Sequence, residues 1–143
     1  MSEQLYQRIM LEHARNPHGA GKVPRGTEDG EALNSACGDD IRIALQWGAD
    51  GRLEKMTHEL QGCAVSKASA SLASQKLAGL TTAEIREVAA GFHARLGQTG
   101  FEKEWGDFQM FNGIEKFPAR IHCARLVWQA VAQALAKREG GAP

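Results

Sequence analysis

Three cysteines and one carboxylate carry the chemistry this chain could perform: Cys37, Cys63, Cys123 and Asp39. Three is an odd number, whereas a disulfide framework needs pairs and an oxidising compartment. The cysteines therefore read as thiols, ligands or nucleophiles. Three buried structural residues are the plain alternative, because free cysteine is among the most buried residue types. Cys37 lies in Ala36-Cys37-Gly38-Asp39. Gly38 lets the backbone fold tightly there, and Asp39, two residues on, projects to the same side in extended geometry. A thiolate and a carboxylate side by side repel unless a cation sits between them. The competing reading is a turn aspartate bonded to its own backbone. Cys63 follows Gly62 at a strand-to-helix junction. The partial positive charge of a helix N-terminus favours the thiolate, the form that ligates or attacks; a small core residue at a tight junction is the other reading. Cys123 falls inside the last helix, with His122 beside it on a different flank, where a surface or packing role is the ordinary one. Three thiolates with Asp39 or His122 make a tetrahedral set suited to zinc or to an iron–sulfur cluster. No pair has Cys-x-x-Cys spacing. The residues alone reach a composite metal site and name no reaction.

The elements that must position these groups follow from periodicity. Leu5, Ile9, Met10 and Leu11 predict a helix over 3–14, which Asn16-Pro17 ends because the residue before proline leaves the α region. Four glycines and Pro24 make 19–30 a loop. Ile41, Ile43, Leu45 and Trp47 alternate with Arg42, Ala44 and Gln46, the period of a strand. After the turn signal Gly48-Ala49-Asp50-Gly51, a second strand runs over 53–61 with Met56, His58 and Leu60 on one face. A shorter strand over 31–34 would complete an antiparallel sheet. From Cys63 to Ala78 small residues at helical spacing form a closely packing helix that Gly79 stops. Thr81 and Glu84 have capping-box spacing for a helix running to about Leu96. The segment 97–113 is irregular, ordered by Phe101, Trp105 and Phe108. The last helix covers 117–137, with Phe117, Ile121, Ala124, Trp128, Val131 and Leu135 as its apolar stripe. At about 100° per residue, Cys123 lies roughly 120° from the centre of that stripe, a border position. This order predicts an α+β fold: a small antiparallel sheet of about three strands with helices packed on one face.

Composition bounds the rest. The chain has 143 residues, the length of one domain over 1–143. Such a domain buries roughly two-thirds of its unfolded surface, so a metal is not needed merely to hold the fold. Lys+Arg and Asp+Glu balance at 17 each, which argues against a nucleic-acid footprint. No stretch is long and apolar enough for a membrane span, and residues 1–15 have no apolar signal core. The expectation is a cytoplasmic protein with neither nucleic acid nor membrane as partner.

Taken in order, the motifs resemble a known family. Leu5-Tyr6, His13 and Asn16-Pro17 resemble the opening of SufU and its IscU/NifU relatives. Ala36-Cys37-Gly38-Asp39 resembles their first-cysteine motif, and Gly62-Cys63-Ala64-Val65-Ser66 followed by Ala68-Ser69-Ala70-Ser71 their second. Lys116-Phe117-Pro118-Ala119-Arg120-Ile121 with Cys123 and then Trp128 resembles the third block of the SufU branch. Cys63 and Cys123 are 60 residues apart, a length that resembles SufU, since the shorter IscU proteins lack much of the intervening segment. His122 stands where SufU-type proteins usually carry Lys, and IscU proteins have His there.

The resemblance implies an IscU-like fold and a role in iron–sulfur cluster assembly. On the SufU side it implies a zinc-dependent sulfurtransferase: Cys37, Asp39, Cys63 and Cys123 hold zinc, and Cys37 takes a persulfide sulfur from a SufS-like cysteine desulfurase. Four protein ligands close the site, so one must leave before sulfur is accepted. Cys37, on a turn, is freest to leave, and the partner desulfurase is understood to supply a replacement His. On the IscU side it implies a scaffold for a [2Fe–2S] cluster on Cys37, Cys63 and Cys123, with His122 as a further candidate ligand and Asp39 aiding release. Downstream cluster-assembly or acceptor proteins follow in either case. A zinc domain used only for protein interaction is the third reading.

Overall fold

The computed structural model describes residues 3–140. The chain opens with helix α1 (Glu3–Arg15) and an extended, glycine-rich segment. Strands β1 (Gly30–Asn34), β2 (Asp39–Trp47) and β3 (Leu53–Gln61) then form an antiparallel sheet in the order β1-β2-β3. Helices α2 (Ala64–Leu77), α3 (Thr82–Ala94) and α4 (Pro118–Arg138) follow, with 3₁₀ turns over Lys103–Phe111 and Ile114–Lys116 between the last two. This is the α+β arrangement that the hydrophobic periods predict.

Alternation decides which face of the sheet is covered. Ile41 and Ile43 on β2 and Met56 and His58 on β3 are all buried. Ile43 pairs with His58 and Leu45 with Met56, so the apolar positions of the two strands align across the ladder. A register shift at Gln46 and Trp47 lets Leu53 face inward as well, although it breaks the alternation set by Met56. Helix α4 packs on β1 and β2, and α2 packs on β3 and α4. At Gly30 β1 and α4 approach closely: a Cβ there would meet the Ala130 carbonyl oxygen.

The Ala/Ser face of α2 makes its approach to α4 close. Ser69 Oγ donates to the Ala124 carbonyl at 2.6 Å, and Trp128 Nε1 donates to Ser69 Oγ at 3.3 Å. Beneath α3, Phe92 stacks on Trp128 with ring centroids 4.6 Å apart, and Phe101, Phe108 and Phe111 surround the pair. Phe101 and Phe108 of the irregular segment thus pack into the core as expected, with Trp105 partly buried against it.

Three expectations need correction. Helix α3 ends at Ala94, not Leu96, because Leu96 has left helical geometry and Gly97 turns the chain at φ +69°. Phe117 is not part of the buried stripe: it is the N-cap of α4 and 52% exposed. Cys123 is no border residue but 3% exposed. Because α4 packs against both the sheet and α2, its buried arc is wider than a single stripe and takes in Cys123, Leu126, Val127 and Ala130. The capping box at Thr81 is complete, with both reciprocal bonds made. No helix among the described residues is long and apolar enough to cross a membrane.

Candidate metal centre

The sheet register brings the cysteine-bearing segments together. Asn34 pairs with Asp39 at the β1–β2 turn, and Asp40 pairs with Gln61 at the end of β3. The turn holding Cys37 and the junction holding Cys63 therefore lie at the same end of the sheet. Helix α4 runs back along β1: Gln133 accepts from the Glu31 N–H near the strand's start. Its first turns, with Cys123, reach the opposite end of β1, where the turn lies.

There the ligand atoms of Cys37, Asp39 and Cys123 all lie within 4.8 Å of one another. Cys123 Sγ is 3.6 Å from Cys37 Sγ. Cys63 Sγ stands at the edge of this group, 4.0 Å from Asp39 Oδ2. Gly38, at φ +71°, makes the turn that swings Cys37 back toward Asp39, a conformation glycine adopts without a Cβ clash. Cys63 is the N-cap of α2 but makes no side-chain capping bond, so its sulfur is free to face the cluster. His122 is exposed and does not join the group.

Burial divides the four. Asp39 is 1% exposed and Cys123 3% exposed, whereas Cys37 and Cys63 are open to solvent. Asp39 has a seat of its own. Ser66 Oγ donates to Asp39 Oδ2 at 2.5 Å, and the Cys63 N–H donates to Oδ1 at 3.3 Å. Burial pushes the pKa of the Cys123 thiol well up, and the Asp39 carboxylate and then the thiols of Cys37 and Cys63 add to the shift. A buried thiol beside a carboxylate stays protonated unless a cation compensates the charge.

The donor set fits such a cation. Two thiolates on a tetrahedral zinc, each about 2.3 Å from the ion, stand about 3.8 Å apart. The separation of Cys37 and Cys123 is close to that. Three soft sulfurs and one carboxylate also suit zinc or an iron–sulfur cluster better than a hard cation such as magnesium.

Two features had no reading in the sequence. Ser66 contacts both Asp39 and, at 3.4 Å, Cys63 Sγ; its signal was the three-residue helical spacing from Cys63, which stacks the two on one face. The other is a chain of bonds linking α1 to the rest. His13 Nδ1 lies 2.8 Å from Ser71 Oγ and its Nε2 2.9 Å from Asp107 Oδ2. The residue types and order of contact are those of a hydrolase triad, but Ser71 is fully buried and cannot meet a substrate. Its hydroxyl also accepts from the His18 N–H, so the network pins the chain on both sides of the Asn16-Pro17 break.

Comparison with known proteins gives matches over nearly the whole chain. The model of the family described as NifU-like N terminal domain matches residues 5–140. The zinc-dependent sulfurtransferase SufU of Bacillus subtilis is 32% identical over 141 residues, covering 97% of this chain and 95% of that one. The iron–sulfur cluster assembly scaffold protein IscU of Streptococcus pyogenes is 31% identical, covering 96% and 86%. The N-terminal part of a NifU-like protein from Brucella abortus has the same fold, with a TM-score of 0.80 at 25% identity over 98% of both chains.

Proposed function

Because the chain belongs to the NifU-like N-terminal domain family, we propose that it serves iron–sulfur cluster assembly as a zinc-dependent acceptor of persulfide sulfur from a SufS-like cysteine desulfurase. The sulfur would then pass to downstream assembly proteins in the cytoplasm; in support, the Bacillus subtilis relative is named a zinc-dependent sulfurtransferase. The observation that carries the reading is the convergence of Cys37, Asp39 and Cys123, with Cys63 at the edge and only the two flanking cysteines open to solvent.

Cys37, Asp39, Cys63 and Cys123 would hold the zinc. When bound, it keeps the thiolates deprotonated at neutral pH and compensates the buried Asp39 charge. The chain's own residues divide the remaining work. Asp39 and Cys123, buried, anchor the site. Cys37, exposed on a turn, can leave the group without moving a secondary-structure element. Its freed thiolate attacks the outer sulfur of the desulfurase's cysteine persulfide. A new S–S bond forms on Cys37, the partner's S–S bond breaks, and the electron pair leaves on the partner's cysteine thiolate. The desulfurase is left with its cysteine ready for another cycle, and Cys37 carries the persulfide.

The scaffold reading, with a [2Fe–2S] cluster on the same cysteines, is favoured by the nearly equal similarity to IscU of Streptococcus pyogenes. Metal analysis of protein purified in air without reconstitution separates the two. A colourless protein with zinc that stimulates a desulfurase supports sulfur acceptance; a brown protein carrying iron and sulfide supports the scaffold. Zinc without any sulfur acceptance would leave only a structural site.

A further inference from the structure

We propose that Ser66 is a positioning residue of the metal centre: its hydroxyl aims the Asp39 carboxylate, and through it sets how tightly the chain holds zinc. The inference deepens the zinc reading above and rests on it.

The carboxylate of Asp39 is held from three sides by one short stretch of chain. Ser66 Oγ donates to Oδ2 at 2.5 Å, and the Cys63 N–H donates to Oδ1 at 3.3 Å. Gly62 closes the third side: a Cβ there would stand 2.9 Å from Oδ1 and 3.1 Å from Cγ, so only a residue without a side chain leaves the carboxylate its place. Asp39 sits on β2, whereas Gly62, Cys63 and Ser66 belong to the β3–α2 junction and the first turn of α2. This junction therefore recognises a ligand carried by a different element.

Ser66 is 2% exposed, so its hydroxyl cannot turn to water instead. It also lies 3.4 Å from Cys63 Sγ, which places one hydroxyl beside two of the four candidate ligands. Two opposing effects follow. A donated bond draws electron density from the carboxylate and weakens it as a donor. The same bond fixes the orientation of the carboxylate before a metal arrives. Each carboxylate oxygen has two lone-pair directions, so one bond from Ser66 leaves Oδ2 able to ligate. Orientation is then the larger effect: loss of a hydrogen-bond partner that orients a metal ligand typically costs about 10–100-fold in affinity.

The test is a double-mutant cycle on zinc affinity, read by competition with the chromogenic chelator 4-(2-pyridylazo)resorcinol. Ser66→Ala should weaken zinc binding by about 10–100-fold. In an Asp39→Ala background the same change should cost less than about 2-fold, because the carboxylate that Ser66 aims is gone and its 3.4 Å contact to Cys63 Sγ is the weaker one. Gly62→Ala, which leaves Ser66 in place but crowds the carboxylate, should behave in the same way and covers a Ser66 variant that folds poorly. Thermal unfolding of the chelated proteins checks that each variant folds. Cobalt substituted for zinc gives a separate readout: Ser66→Ala should keep the thiolate charge-transfer absorption and shift the d–d bands. Wild-type affinity in Ser66→Ala, or an equal loss in both backgrounds, would overturn the proposal. Failure of the wild-type protein to bind zinc is a distinct result: it overturns the zinc reading itself, and the role of Ser66 with it.

Discussion

The sulfur atoms of Cys37 and Cys123 stand 3.6 Å apart although 86 residues separate them in the chain. One sulfur comes from a hairpin turn open to solvent and the other from the buried face of α4. In the proposed sulfur transfer, that asymmetry would give the two thiols different tasks, with Cys123 as the anchor and Cys37 as the ligand that leaves.

The site should hold about one zinc per chain, since four protein ligands complete a tetrahedral ion. Elemental analysis of Cys63→Ser and Cys123→Ser should show marked zinc loss, larger for the buried Cys123. Full retention of zinc in both variants contradicts the assigned ligands.

The helices and sheet should largely survive removal of the metal. The core formed by Ile41, Ile43, Phe92, Trp128 and their neighbours is continuous without any contribution from a metal. Circular dichroism before and after chelation should show most of the helical signal retained. Its complete loss would make the metal structural.

His58 should impose an acid limit on stability. Its side chain is 2% exposed; Nε2 donates to the His18 carbonyl at 2.8 Å, and Nδ1 has no partner among the described residues. Burial lowers its pKa below the ordinary value, and the bond to His18 only partly opposes this. Between the lowered folded value and an unfolded value of about 6.5, the unfolded chain binds more protons, so stability rises with pH across that window and levels off above it. Chemical denaturation of the chelated protein at pH 5 and pH 7.5 should show a larger acid loss for the wild type than for His58→Gln. Parallel behaviour would remove His58 as the cause.

His122→Lys should leave zinc content and sulfur acceptance unchanged. The imidazole is exposed and stands apart from the cluster of Cys37, Asp39 and Cys123. A loss of zinc or of bound cluster in this variant would restore His122 as a ligand.

Much of this arrangement is legible in local sequence. Strand periods, the capping box at Thr81 and the small-residue face of α2 depend on near neighbours, and each appears where its pattern places it. The spacing of Cys37 and Asp39 also shows, even though Gly38 at φ +71° puts them together by a turn and not by an extended strand. The burial of Cys123 does not show in the helical period, because an apolar stripe assumes one packing partner and α4 has two. The bond from Ser66 to Asp39 and the network of His13, Ser71 and Asp107 join residues 27 or more positions apart, so no local pattern announces them.

The most direct test of the account is where sulfur lands. The protein is incubated with a SufS-like desulfurase and cysteine, and its peptides are then mapped by mass spectrometry after alkylation. The account predicts one added sulfur on Cys37, and loss of desulfurase stimulation in Cys37→Ala even where Asp39, Cys63 and Cys123 retain some zinc. Added sulfur on Cys123, with Cys37 unmodified, would contradict it.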